Sequence, residues 1–246
     1  MRIRIEILPF LAVVIAVALL LVLVLGRFTS MRWLYASCIG GILLVVFGGY
    51  FLWFFRDPIR VAPKGDNLVV ASADGVIAKL TTFTPEQFGS ITMLAGLKDE
   101  DVAVFKNSVG ILRISIFLSL FDVHVNRAPI AGSSSFLGYF PGKHLFTFDE
   151  KSSDVNQHNS ILIVNESTSC LVNQIVGPVC RRVVYWFDHD KAVDVGLGQA
   201  FGMMKFGSRL DMYFPVRDVN MLVEVGERVV AGESVIAKLV EKAENE

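Results

Sequence analysis

The sequence predicts a mostly β domain behind an N-terminal two-helix transmembrane hairpin. Three observations carry this expectation. Two uncharged apolar runs occupy residues 7–26 and 34–55. The rest of the chain is dominated by short β-rich runs broken by Gly, Pro, Asn or Asp. Only a few short helical patterns, at residues 84–88 and 91–97, interrupt them.

The two apolar runs are 20 and 22 residues long. Either one is long enough to cross about 30 Å of hydrocarbon as a helix. The short segment 27–33 between them forces an antiparallel hairpin. A cleaved secretory signal is the alternative for the first run, but no small-residue cleavage site follows and a second apolar run comes at once. The outer flanks carry Arg2, Arg4, Arg56, Arg60 and Lys64, whereas the loop carries Arg27 and Arg32. That asymmetry places both ends, and the domain that follows, on the cytoplasmic side of the cell membrane, with a hairpin that dips into one leaflet left open. Trp53, Phe54 and Phe55 are placed to anchor the second helix at the interface.

Residues 56–246 suffice for one domain with its own core. The net charge of −1 gives no basic surface of the kind that binds nucleic acid. Cys38, Cys170 and Cys180 have no metal-like spacing and suit buried thiols in a reducing compartment. Strands are expected within residues 67–73, 110–118, 160–165 and 180–187. In the stretch 223–239, Gly226 and Gly232 punctuate short strands in the manner of half a lipoyl or biotinyl domain, a flattened β-sandwich. Residues 74–80 are the candidate matching half. No lysine occupies a carrier-type hairpin between them, so the likeness is architectural and predicts no lipoyl group.

Three stretches carry candidate chemistry. Asp74 and Gly75 sit between β-like runs, where an Asp-Gly pair is ordinarily a turn. Asp122, His124, Asn126 and Arg127 follow an apolar strand and precede Pro129. In β geometry the first three share one face, which suits a pocket or a solvent-facing edge. Gly207, Ser208 and Arg209 lie between two apolar strands, where Gly-Ser is common in turns. An Asp, a His and a Ser can form a charge-relay triad. Ser208 is not in a Gly-x-Ser-x-Gly elbow, which argues against an ordinary hydrolase.

In order along the chain, these motifs resemble the short form of phosphatidylserine decarboxylase and its archaeal-lipid relatives. The likeness runs from about Phe54 to Lys238. It takes in Phe55-Arg56-Asp57-Pro58, then Ala73-Asp74-Gly75, then residues 121–129. It continues through the Asn-containing segment 151–159 and the self-cleavage site at residues 202–211. Ala71-Ser72 stands where the family usually has Ser-Pro, and Gln157-His158 replaces a common Glu-Arg pair. Arg127 occupies the position of a second His found in long forms.

The resemblance implies a proenzyme that cuts itself between Gly207 and Ser208. The products are residues 1–207 (the β chain, with the hairpin) and 208–246 (the α chain), held as an α/β heterodimer, with any higher oligomer left open. Ser208 becomes a pyruvoyl group, the only cofactor, and no metal is expected. This group would form a Schiff base with the amine of phosphatidylserine and act as the electron sink that pyridoxal phosphate provides elsewhere. The product would be phosphatidylethanolamine, with an archaeal ether lipid left open as substrate. His124, oriented by Asp74, is the expected base, and Asn126, Arg127 and Arg209 are expected to bind substrate. Two other readings stand beside this one. One is a non-enzymatic membrane adaptor with a lipoyl-like β domain, and the other is a serine hydrolase using Ser208 directly.

Overall fold

A computed structural model describes residues 1–28, 33–65, 67–91, 94, 97–149, 151–178, 182–205 and 208–240. The chain divides into two compact units, Met1–Ile59 and Arg60–Glu246.

The first unit is the hairpin. Strand β1 (Arg2–Ile3), helix α1 (Leu8–Phe28), helix α2 (Trp33–Phe54) and strand β2 (Arg56–Asp57) follow in order. Both helices are long and apolar enough to cross a membrane. β1 pairs with β2 antiparallel, and Arg4 bridges Asp57 at 2.7 Å, which ties the two ends of the hairpin together. Gly40 lets the helices approach closely, because a Cβ there would lie 2.5 Å from Val22.

The second unit is mostly β. Its elements are β3 (Leu68–Val70), β4 (Gly75–Phe83), α3 (Asp99–Lys106), β5 (Ile111–Leu118), β6 (Val125–Arg127), β7 (Gly132–Phe140) and α4 (Ser152–Val155). Then come β8 (His158–Val164), β9 (Ser169–Val176), β10 (Val183–Tyr185), β11 (Val193–Val195), β12 (Ala200–Met204) and β13 (Ser208–Pro215). The last are β14 (Val219–Met221), β15 (Arg228–Val229) and β16 (Val235–Leu239). Eight strands form one antiparallel sheet in the order β11-β7-β8-β9-β13-β5-β4-β15. Two three-stranded sheets, β10-β12-β6 and β14-β16-β3, accompany it.

Strand alternation explains the two cores. Leu112, Ile114 and Ile116 of β5 lie on one face with Leu210, Met212 and Phe214 of β13 and Val172 of β9. Ile111, Leu171, Ile175 and Tyr213 pack on the other face with Val102 and Phe105 of α3. A sheet covered on both faces loses the apolar-polar alternation of a half-exposed one. The α3 helix was not anticipated, because its first turn is acidic throughout (Asp99, Glu100, Asp101) and only Val102 and Phe105 are buried. Of the C-terminal strands in 223–239, β15 pairs with the start of β4, whereas β16 pairs with β3, which precedes residues 74–80. Cys170 is buried, and burial pushes its thiol well above the ordinary value. Cys180 lies outside the described residues.

Candidate active site

One end of the eight-stranded sheet collects the candidate residues. Ser208, the first residue of β13, pairs with Leu118 at the end of β5 and with Val176 at the end of β9. Val76, near the start of β4, pairs with Phe117. Asp74 therefore enters this end, the loop 119–124 leaves it, and Ser208 starts from it. Gly75 makes the entry possible: its φ is +146°, and a Cβ there would lie 2.1 Å from the Phe117 carbonyl oxygen.

His124 is fully buried, and its Nδ1 lies 2.9 Å from the Asp122 carbonyl oxygen. A carbonyl only accepts, so Nδ1 carries the proton and Nε2 holds the lone pair in the neutral ring. The His124 carbonyl accepts from Met204 N at 3.1 Å, which ties it to the strand that leads toward Ser208. Asp122 fixes the loop: its carboxylate accepts from Ser119 N at 2.8 Å, from Ser119 Oγ at 2.7 Å and from Arg228.

Asp74 is placed differently from expectation. Its carboxylate accepts from Arg60 Nη1 at 2.6 Å and Nη2 at 2.8 Å, and from Ala231 N at 2.8 Å. Arg60 Nη1 also donates to the Ala231 carbonyl at 2.9 Å. This two-pronged arginine grip and the backbone N–H take up the carboxylate. The orientation of His124 falls to a backbone carbonyl instead. Arg60 was counted from sequence only as a flanking charge. Its position two residues past Pro58, just after the first motif, was the available signal.

Asn126 is fully buried beside His124. Its Oδ1 accepts from Gln174 Nε2 at 2.7 Å, and Gln174 pairs in register with Leu210, two residues into β13. Asn159 Nδ2 in turn donates to Gln174 Oε1 at 3.4 Å. This run of amides leaves Asn126 Nδ2 as a buried donor with no partner among the described residues. Gln174 was not anticipated; with Asn173 it forms a polar pair between the apolar residues of β9.

Arg127 leaves β6 on the side opposite Asn126 and donates from Nη1 to the Gly198 carbonyl at 3.2 Å. Arg209 lies with Asp211 and Tyr213 on the sheet face away from Leu210. There its Nε donates to Asp211 Oδ1 at 3.0 Å, and its Nη2 donates to Ser115 Oγ at 2.8 Å. Strand alternation puts Arg209 on the face opposite Leu210, where Asp211 and Ser115 hold it. Gly207 lies outside the described residues, and of Ser208 the backbone is described.

His158 is buried at the same sheet end, with Nδ1 2.9 Å from the Asn156 carbonyl and its ring stacked on Phe140. Burial lowers its pKa against the opposing influence of that carbonyl and of Asp211.

Comparison with known proteins shows the family. The pattern described as phosphatidylserine decarboxylase matches residues 47–237. A phosphatidylserine decarboxylase proenzyme of Saccharopolyspora erythraea is 37% identical over 209 residues, covering 85% of this chain and 79% of that protein. The proenzyme of Symbiobacterium thermophilum is 34% identical over 233 residues, covering 94% and 93%. That of Ehrlichia ruminantium (strain Welgevonden) is 35% identical over 206 residues, covering 82% and 81%. The matched span takes in the C-terminal end of α2 and almost the whole β unit, with every candidate residue inside it. The chain belongs to the phosphatidylserine decarboxylase family.

Proposed function

We propose that this chain is a self-cleaving carboxy-lyase that converts phosphatidylserine to phosphatidylethanolamine with a pyruvoyl group made from Ser208. The observation that carries the reading is the meeting of Ser208, the His124 loop and Asn126 at one sheet end, in a chain of this family. The residues suit such a group. Ser208 heads a strand pinned on both sides, and Asn126 Nδ2 supplies a buried donor.

A hydroxyl needs a base to act as a nucleophile near neutral pH. His124 Nε2 takes the Ser208 Oγ proton as the oxygen attacks the Gly207 carbonyl carbon. The C–N bond breaks, the proton passes to the departing nitrogen, and an ester joins the two segments. Removal of the Ser208 α-proton expels the Gly207 carboxylate. Water then releases the nitrogen as ammonia and leaves the pyruvoyl group at the head of residues 208–246. When present, that group supplies the electron sink for decarboxylation. His124 delivers a proton to the substrate carbon that loses carbon dioxide, a role worth on the order of 10²–10⁴-fold. Asn126 Nδ2 donates to a substrate oxygen. The contacts of Arg127 and Arg209 favour structural roles, and Asp74 with Arg60 holds the segment around Ala231.

The large fragment keeps the hairpin and with it an attachment to the cell membrane, the β unit facing the cytoplasm. Tethering raises the effective concentration of a lipid too apolar to diffuse to a soluble site. Intact-mass measurement of purified protein tests the reading. It predicts a fragment of residues 208–246 with a blocked N-terminus, and a Ser208→Ala chain that stays whole. A wild-type chain that remains a single 27.2 kDa species overturns it. Such a chain labelled at Ser208 by a fluorophosphonate points to a hydrolase, and an unlabelled one to an adaptor.

A further inference from the structure

We infer that the rim of the Ser208 end of the sheet is a surface that inserts into a lipid bilayer, led by Phe146 and Phe148 with Phe121 beside the site. The partner rests on the lipid-substrate reading above; the surface itself rests on where the apolar side chains stand.

β5 ends, β7 ends, β8 starts, β9 ends and β13 starts at this one end of the sheet. The loops that leave it therefore surround the position of Ser208. Two of them expose large apolar side chains. Phe121, between β5 and His124, is 70% exposed. Phe146 and Phe148, between β7 and α4, are 59% and 72% exposed and stack on each other with ring centroids 5.3 Å apart.

The second loop is fastened. Asn156, itself buried, accepts from Leu145 N at 2.9 Å and donates from Nδ2 to the Leu145 carbonyl at 2.8 Å. The same Nδ2 donates to the Val176 carbonyl at 2.9 Å, and Val176 is the register partner of Ser208. Lys143 N donates to the Val155 carbonyl at 2.7 Å, and Gln157 N donates to the Lys143 carbonyl at 3.0 Å. The aromatic pair is thus held out to solvent by a loop tied to the strand beside the site.

Clustered exposed aromatics on a soluble face mark an interaction surface. The chemistry of the substrate selects the partner. Its headgroup must reach Ser208, while its two acyl chains need apolar surroundings at the mouth. A rim that sinks its rings into the headgroup–acyl boundary, roughly 5–10 Å deep, meets both demands. A rigid loop also loses little conformational freedom on insertion.

The test uses the full chain reconstituted in phosphatidylserine-containing vesicles with lipids brominated on their acyl chains near the headgroup. Tryptophan is introduced as Phe148→Trp, with Phe121→Trp as a second reporter. Val164→Trp is the control, because Val164 ends β8 at the far end of the sheet. Emission is compared with the parent, which carries three tryptophans of its own. The added emission of Phe148→Trp and Phe121→Trp is expected to be lost to bromine quenching, and that of Val164→Trp to persist. Persistence of the Phe148→Trp and Phe121→Trp emission overturns the inference, as does equal quenching of the control. Quenching requires no turnover, so an inactive chain that still shows it leaves the surface standing while the decarboxylase reading fails.

Discussion

His124 Nδ1 lies 2.9 Å from the carbonyl oxygen of Asp122, two residues before it in the chain. The contact is local, and it sets the tautomer that leaves Nε2 basic. His124→Ala is therefore expected to slow self-cleavage by about 10²–10⁴-fold, the usual worth of a placed acid-base group. Asp122→Asn keeps the carbonyl and is expected to slow it far less. The accumulation of the two fragments over time on a denaturing gel measures both. Equal effects would show that the Asp122 carboxylate, rather than its carbonyl, matters.

Cleavage before Ser208 leaves β13 between β5 and β9, at the centre of the sheet, and β16 still paired with β3. The small fragment is expected to remain bound to the large one without a covalent link. Size-exclusion chromatography in mild detergent should give one peak holding both. Separation should require guanidinium or SDS. Dissociation under mild conditions would mean that the register around β13 is wrong.

Arg60 and Asp74 form a largely buried pair, with side chains 7% and 13% exposed. Removing one partner strands the other, so Arg60→Ala is expected to lose about 3–5 kcal/mol of stability. Asp74→Asn should lose less, since its amide oxygen can still accept from Ala231 N–H. In the double variant the two losses should fall short of additivity, as contacting residues do. Denaturant titration of the purified chain, followed by circular dichroism, reads all three.

His158 titrates below its ordinary value because burial disfavours the charged ring. The unfolded chain then binds more protons at His158 than the folded one between about pH 6.5 and the lower folded value. Its contribution is complete above that range, declines as pH drops toward the folded value, and is flat below it. The thermal midpoint is expected to fall between pH 7.5 and 5.5, and by less in a His158→Gln variant. An identical fall in both would assign the acid sensitivity to other groups.

Local pattern made much of this protein legible. The uncharged runs gave two helices to within a residue or two of Leu8–Phe28 and Trp33–Phe54, since a membrane-length helix needs only composition and length. The apolar run before Phe121 gave β5, and the glycine punctuation near the C-terminus gave strands that pair with β3 and β4. The candidate stretches around Asp74, His124 and Ser208 were also readable, because polar side chains stand out against greasy strands.

The partners of those side chains were decided by tertiary structure alone. Asp74 meets Arg60, 14 residues earlier, and Ala231, 157 residues later. No sequence spacing distinguishes such a carboxylate from one aimed at His124. Gln174 joins Asn126 across 48 residues because antiparallel register brings β9 alongside β13 and under β6. The partners of Arg209 follow from the same register. Being one residue from Ser208 looks like proximity, yet a strand sends neighbours to opposite faces, and there Asp211 and Ser115 hold it. Sequence specified which residues could do chemistry. Sheet register, a long-range property of paired backbones, decided which of them stand together.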